Sequence, residues 1–309
     1  MTRRPPALFD HELLVVTGKG GVGKTTVAAA LGVAAARRGL RAIVAEVAAR
    51  DDVTLALGGE EERRDHEVEL QFGVHHTSIE PEAAMREYLV DQLPSRRLAG
   101  VLTDSRAFAY LAAATPGLRE LLTIGKVWEL AQQDRRTPGA RPYDLVILDA
   151  PATGHGVAVL SAPHTFARTA RVGRIARQAA LIDGLVTNPA RTAVVAVARP
   201  EELPVNEALQ LRRALDEELG LPVSLAVVNR VAVDRLTAAE ARELEAHDPV
   251  GRPVAIALAA HRRARAQRTQ VARLRRGMDC RVCGLHELQR GALDGAAIRE
   301  LAGELERVL

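Results

Sequence analysis

ELLVVTGKGGVGKTTVAAALGVAAARRGLRAIVAE, residues 12–46, carries three signals in one line. Glu12 to Thr17 is short and rich in leucine and valine, as a buried strand is. Val27 to Arg38 is an alanine-rich helix, and Gly39 stands where a helix C-terminus favours glycine. Arg41 to Glu46 is a second apolar strand. A strand, a glycine loop, a helix and a strand make a βαβ unit, which implies parallel pairing.

The loop itself, GKGGVGKT from Gly18 to Thr25, fits G-x-x-x-x-G-K-[ST] between a strand and a helix. Glycines let backbone N–H groups turn inward towards phosphate oxygens, and the following helix N-terminus adds favourable potential. In such a loop Lys24 reaches the β- and γ-phosphates and the Thr25 hydroxyl binds Mg²⁺. The candidate nucleotide-binding residues are therefore Gly18, Lys19, Gly20, Gly21, Val22, Gly23, Lys24, Thr25 and Thr26. Lysine occurs only at Lys19, Lys24 and Lys126 in an otherwise arginine-based sequence. Two of the three fall in this loop, where a compact ammonium suits a tight phosphate cradle better than a planar fork.

Outward from the loop, Val74 to Glu80 is a further strand, and after Pro81 the periodicity becomes helical. Pro81–Leu93, Ser95–Ala113 and Pro116–Asp134 read as successive helices, with Arg135 to Pro142 as the loop returning to the sheet. Tyr143 to Asp149 is a central strand, apolar on both faces and ending in an acid. Thr192–Ala198 and Val223–Asn229 are two more, separated by a crossover helix over Pro204–Leu219. Helices follow at Thr237–His247 and Pro253–Arg276, a last strand at Asp279–Leu285 and a C-terminal helix at Asp294–Leu309. The expected fold is a three-layer α/β/α P-loop domain with a parallel sheet. It spans residues 1–309, with a helical insertion over 81–135.

Composition excludes several classes. The 309 residues are 47% hydrophobic with a net charge of +3, too apolar for a disordered chain and too weakly charged to argue for nucleic-acid binding. No apolar run reaches the roughly 18 to 20 residues that cross a bilayer. Met1 to His11 lacks the apolar segment of a signal peptide. Two cysteines supply no disulfide framework. The expectation is a soluble, cytoplasmic protein.

With Lys19 ahead of Lys24, the loop resembles the deviant Walker A loop of dimeric P-loop ATPases, the group holding the MinD, ParA, nitrogenase-iron-protein and ArsA families. Asp149 to Gly156, DAPATGHG, resembles the D-[TA]-[AP]-[PA]-T-G-H signature of the arsenite-pump ATPase ArsA and of the eukaryotic tail-anchored-protein targeting ATPase. Ile79-Glu80-Pro81, Val227-Val228-Asn229 and Pro200 to Ala208 extend the resemblance over most of the chain, towards a bacterial single-domain branch. It implies an ATPase working with ATP and Mg²⁺ as a dimer, with itself or a paralogous subunit, and a further protein partner. Lys19 then acts in trans, Asp149 joins Thr25 at the metal, and Asn229 reads adenine. His155 belongs to the nucleotide-sensing loop.

Departures from the family pattern matter as much. Glu46-Val47-Ala48-Ala49-Arg50 stands where the family has an aspartate followed by Pro-Ala-His, the aspartate that orients the attacking water. Glu46 is the candidate for that task. The alternative is a non-hydrolysing subunit acting through a paralogous partner. Cys280 and Cys283 invite a zinc staple, but an i, i+3 pair on a strand points to opposite faces, so they read as structural. His75 and His76 alternate likewise and are poor joint ligands. Arg168, Arg171, Arg174 and Arg177 recur every third residue, as on a basic helix face for an acidic partner or lipid, or a solvated one. Lys126 and Trp128 fit either a partner or nucleotide contact or core packing. The sequence has neither a methionine-rich insertion nor a metalloid-binding cysteine cluster.

Overall fold

The computed structural model describes residues 7–47, 52–59, 66–92, 117–136, 139–151, 155–169, 174–246, 252–289 and 293–309. Eight strands among them form one sheet: β1 (Leu13–Gly18), β2 (Ala42–Glu46), β3 (Val68–Glu69), β4 (His75–Ser78), β5 (Leu145–Asp149), β6 (Thr192–Ala198), β7 (Val223–Val231) and β8 (Arg281–His286). Their order is β3-β4-β2-β5-β1-β6-β7-β8. Every pairing is parallel except β3 on β4, so the expected parallel sheet carries one antiparallel edge strand. That two-residue strand has no apolar run to announce it, which is why the sequence pattern passes over it.

The inner strands β1, β2, β5 and β6 are buried along their whole length, which requires helices on both faces. On one face lie α1 (Lys24–Arg37), α2 (Asp52–Ala56) and α10 (Gly295–Glu306). Val27, Leu31, Val53 and Leu301 there meet Leu14, Val16, Val44 and Ile147 of the sheet. The other face buries Leu13, Val15, Ile43 and Leu148 against Ile124 of α4 (Leu118–Leu130), Leu160 of α5 (His155–Thr169), Ile182 of α6 (Arg174–Val186) and Leu215 of α7 (Glu202–Leu219). Alternate residues of each strand thus serve opposite cores, the three-layer architecture expected of a parallel sheet. The remaining helices are α3 (Pro81–Gln92), which packs on α4, α8 (Ala238–Ala246) and α9 (Arg252–Gly277).

Chain direction places the site. From β1 the chain passes through α1 to β2, on the far side of β5; from β5 it crosses to β6 on the other side of β1. The carboxyl end of β1 is therefore a topological switch point, where a crevice opens beyond the strand ends.

Several boundaries differ from the sequence pattern. Helix α1 begins at Lys24 rather than Val27, because Gly23 at φ 92° turns the chain directly into the first helical turn. Helix α2 has no counterpart in the sequence reading, and Ser95–Ala113 lies outside the described residues. The basic helix face is corrected: Arg168 lies near the end of α5 and Arg174 opens α6, a separate helix packed against α5, so no single helix carries the set. Arg171 lies outside the described residues.

Gly18 ends β1 where β6 comes closest. A Cβ there would sit 2.2 Å from the backbone oxygen of Val197, at φ 152°. Gly18→Ala is expected to cost on the order of 3 kcal/mol or more, since neither backbone can yield cheaply. A urea midpoint unchanged from the wild type would mean that β1 and β6 do not approach in this register.

Candidate functional site

Glu46, Asp149, Gly18 and Asn229 all stand at or near the carboxyl ends of parallel strands, on β2, β5, β1 and β7. The glycine loop bridges β1 and α1 among them. Gly21 and Gly23 hold φ of 80° and 92°, where a side chain is strained. At Gly23 a Cβ would also lie 2.2 Å from Asn229 Nδ2. Asn229 explains the crowding: it is buried, and its amide donates to Val22 O at 2.9 Å. The strand itself continues two residues past Asn229, to Val231. Loop and β7 are thus tied by a hydrogen bond that sequence spacing does not reveal.

Lys24 stands at the first position of α1, and its Nζ donates to the Lys19 carbonyl at 3.2 Å. Burial lowers its pKa, and Asp149 opposes that shift. One residue on, the Thr25 hydroxyl donates to Asp149 Oδ2 at 2.5 Å. The other carboxylate oxygen, Oδ1, is buried with no hydrogen-bond partner. Burial, outweighing the Thr25 hydrogen bond and Lys24 and aided by Glu46, holds the Asp149 carboxyl up at about 7. An orphaned carboxylate oxygen beside a hydroxyl is the hard-oxygen chemistry that Mg²⁺ takes, so these residues fit that ion. Backbone with no room for a Cβ, a helix N-terminus and a lysine likewise fit a polyphosphate.

Glu46 lies beside Asp149 in register and is only 2% exposed. Its Oε2 accepts from the Val53 N–H of α2 at 3.3 Å. His76 of β4, which the sequence reading sets aside, comes within 3.4 Å of the same oxygen. Parallel pairing of β2 with β4 puts Val44 opposite His76, two residues from Glu46 and on the same face. Lys19 is half-exposed and pairs with Glu207 of α7 at 2.7 Å.

Other singled-out residues fall elsewhere. Lys126 lies between Glu87 at 2.8 Å and Glu129 at 3.4 Å, while Trp128 packs against the core beneath Arg136, so both serve packing and ion pairing in this structure. Cys283 joins the core on the α1 face of the sheet and Cys280 packs against the opposite core. Burial raises both thiols, Cys283 to about 11. His75 lies within 2.7 Å of Arg41, away from the site. Residues 152–154 and the His155 side chain lie outside the described residues. No helix among the described residues is long and apolar enough to cross a membrane.

Comparison with known proteins adds the lineage. The profile of the anion-transporting ATPase family matches residues 11–186. The chain is 31% identical to ATPase BagA of Mycobacterium tuberculosis over 234 residues, covering 73% of this chain and 67% of that one. A Halobacterium salinarum protein provisionally named an arsenical pump-driving ATPase is 26% identical over 71% of this chain, which spans 35% of its length. ATPase GET3 of Kluyveromyces lactis is 26% identical over 53% of this chain and 50% of its own.

Proposed function

Because the chain belongs to the anion-transporting ATPase family, we propose that it hydrolyses ATP with Mg²⁺, working as a dimer with itself or with a paralogous subunit. The observation that carries this reading is the Thr25–Asp149 hydrogen bond with the orphaned Asp149 oxygen, set at the N-terminus of α1 beside Lys24. The glycine-loop amides and Lys24 hold the phosphates; Thr25 and Asp149 hold the metal, which when bound neutralises phosphate charge. Glu46 orients the attacking water. Asn229, with its amide donated to the loop, has a carboxamide oxygen to accept from an adenine amino group.

Lys19 supplies a positive charge to the partner's nucleotide in this reading. Its pairing with Glu207 is an accessible ion pair of about 1 kcal/mol or less, so dimer closure can break it. Binding of ATP shifts the population towards the closed dimer and moves α3 and α4, which form a partner-binding face. The test is turnover per protomer against protein concentration, with Lys19→Ala alongside. Turnover that rises with concentration and collapses in the variant is expected. Turnover independent of concentration, equal in the two proteins, would remove the trans role. The second reading, a non-hydrolysing subunit, draws on the engagement of Glu46 with Val53. Tight nucleotide binding without turnover at any concentration would favour it.

A further inference from the structure

His76 takes no part in the function proposed above, yet it is one of the most deeply buried polar residues in the fold, at 2% exposure. A buried imidazole keeps such a place only if its two nitrogens have partners. Nδ1 lies 3.0 Å from the Thr54 hydroxyl of α2. Nε2 has no aligned hydrogen bond, and the carboxylate oxygen Oε2 of Glu46 stands 3.4 Å away. Both of these side chains are 3% exposed. With its proton on Nε2 the ring accepts from Thr54 at Nδ1, and the Glu46 carboxylate, 3.4 Å away, is the acceptor nearest to the Nε2–H. Val53, the neighbour of Thr54, donates its N–H to that same Oε2. One short helix thus holds the ring through Thr54 and the carboxylate through Val53.

Three torsions separate the Glu46 carboxylate from its backbone, and a group that must place a water cannot be left to sample them. The Val53 N–H donates to Oε2 and the edge of the His76 ring stands against the same oxygen, so together they restrict those torsions.

We propose that His76 is a positioning residue for ATP hydrolysis: it restrains Oε2 of Glu46, so that Oε1 presents the water-orienting oxygen. The proposal rests on the reading of Glu46 above. It explains why an imidazole stands on β4 opposite the buried Val44 and two residues after the buried Val74. Thr54 and the Val53 amide complete the support.

The test uses two isosteres. Asparagine places its amide near Nδ1, where the carbonyl oxygen can accept from Thr54, but does not reach Glu46; glutamine places its amide NH2 near Nε2, where it can donate to Glu46. His76→Asn is expected to lower kcat about 10- to 100-fold, as loss of an orienting group does, with KM and the melting temperature little changed. His76→Gln is expected to recover most of the rate. In a Glu46→Gln background, His76→Asn is expected to add nothing, because the water-orienting carboxylate that His76 positions is already gone. Wild-type kcat in both His76 variants overturns the proposal, as does an equal loss in both with a lowered melting temperature, which marks a role in packing alone. Additive losses in the double variant overturn it too. A wild-type chain with no turnover at any concentration instead sinks the hydrolytic reading, and His76 with it. Failure confined to the His76 variants leaves that reading standing.

Discussion

Lys24→Ala is expected to reduce ATP turnover by about 100-fold or more, in line with removal of one preorganised electrostatic group from an active site. Its ammonium is held back over the loop by the Lys19 carbonyl, at the N-terminus of α1 and beside Asp149. No other lysine occupies the first turn of that helix, so nothing local replaces the charge. The fold should survive, since a half-buried cation whose charged form burial disfavours is being removed. Binding therefore gives a second readout. A ligand at a hundred times its dissociation constant stabilises the folded chain by about 2.7 kcal/mol, and that increment should vanish in the variant. Lys24→Arg should fare little better, because the planar fork does not fit where an ammonium does. Full ATP-dependent stabilisation in either variant would show that the glycine loop is not the phosphate site.

Arg135→Ala should give the largest loss of stability, about 3 to 5 kcal/mol, the range for removing one partner of a buried ion pair. Arg135 lies in the loop that follows α4, and its side chain is 1% exposed. It donates to Glu129 of α4 at 3.0 Å and to Glu67, next to the edge strand β3, at 2.5 Å. Tyr143 also donates to Glu67 at 2.8 Å and lies under the guanidinium groups of both Arg41 and Arg135. One arginine thus ties the helical side of the molecule to the sheet edge and to the start of β5. Without it, Glu129, whose side chain is 3% exposed, keeps among the described residues Lys126 at 3.4 Å and the Arg136 amide at 3.2 Å. A shift of less than 1 kcal/mol in urea unfolding would mean that those two contacts suffice.

The same cluster sets an acid limit. Burial alone would raise Glu67, but the hydrogen bonds from Arg135 and Tyr143 outweigh it and hold the carboxyl below its usual value. A carboxyl depressed in the folded state contributes stability that is complete above its unfolded pKa and is lost as the pH falls through the folded one. Wild-type stability should therefore fall below about pH 4.5, and Arg135→Ala should flatten that part of the curve.

The glycine loop, the strands that carry Glu46 and Asp149, and the crossover helix α7 were legible in residues 12–46, 143–149 and 204–219. Local chemistry explains it: glycine and lysine at fixed offsets, apolar runs that only a doubly covered sheet can bury, and caps at Gly39 and Gly220. Asp149 was readable as a candidate site residue because it ends such a run. His76 was not, because its significance depends on β4 pairing with β2 rather than on anything within four residues of it. The bond from Asn229 to Val22, the Lys19–Glu207 pair and the anchoring of Arg135 span separations of 207, 188 and 68 residues or less. Periodicity and capping are properties of neighbours along the chain, so they reveal which segments form strands and helices and where a glycine loop stands. Which buried polar groups meet is a property of strand order and register, and those emerge when both faces of the sheet are covered together.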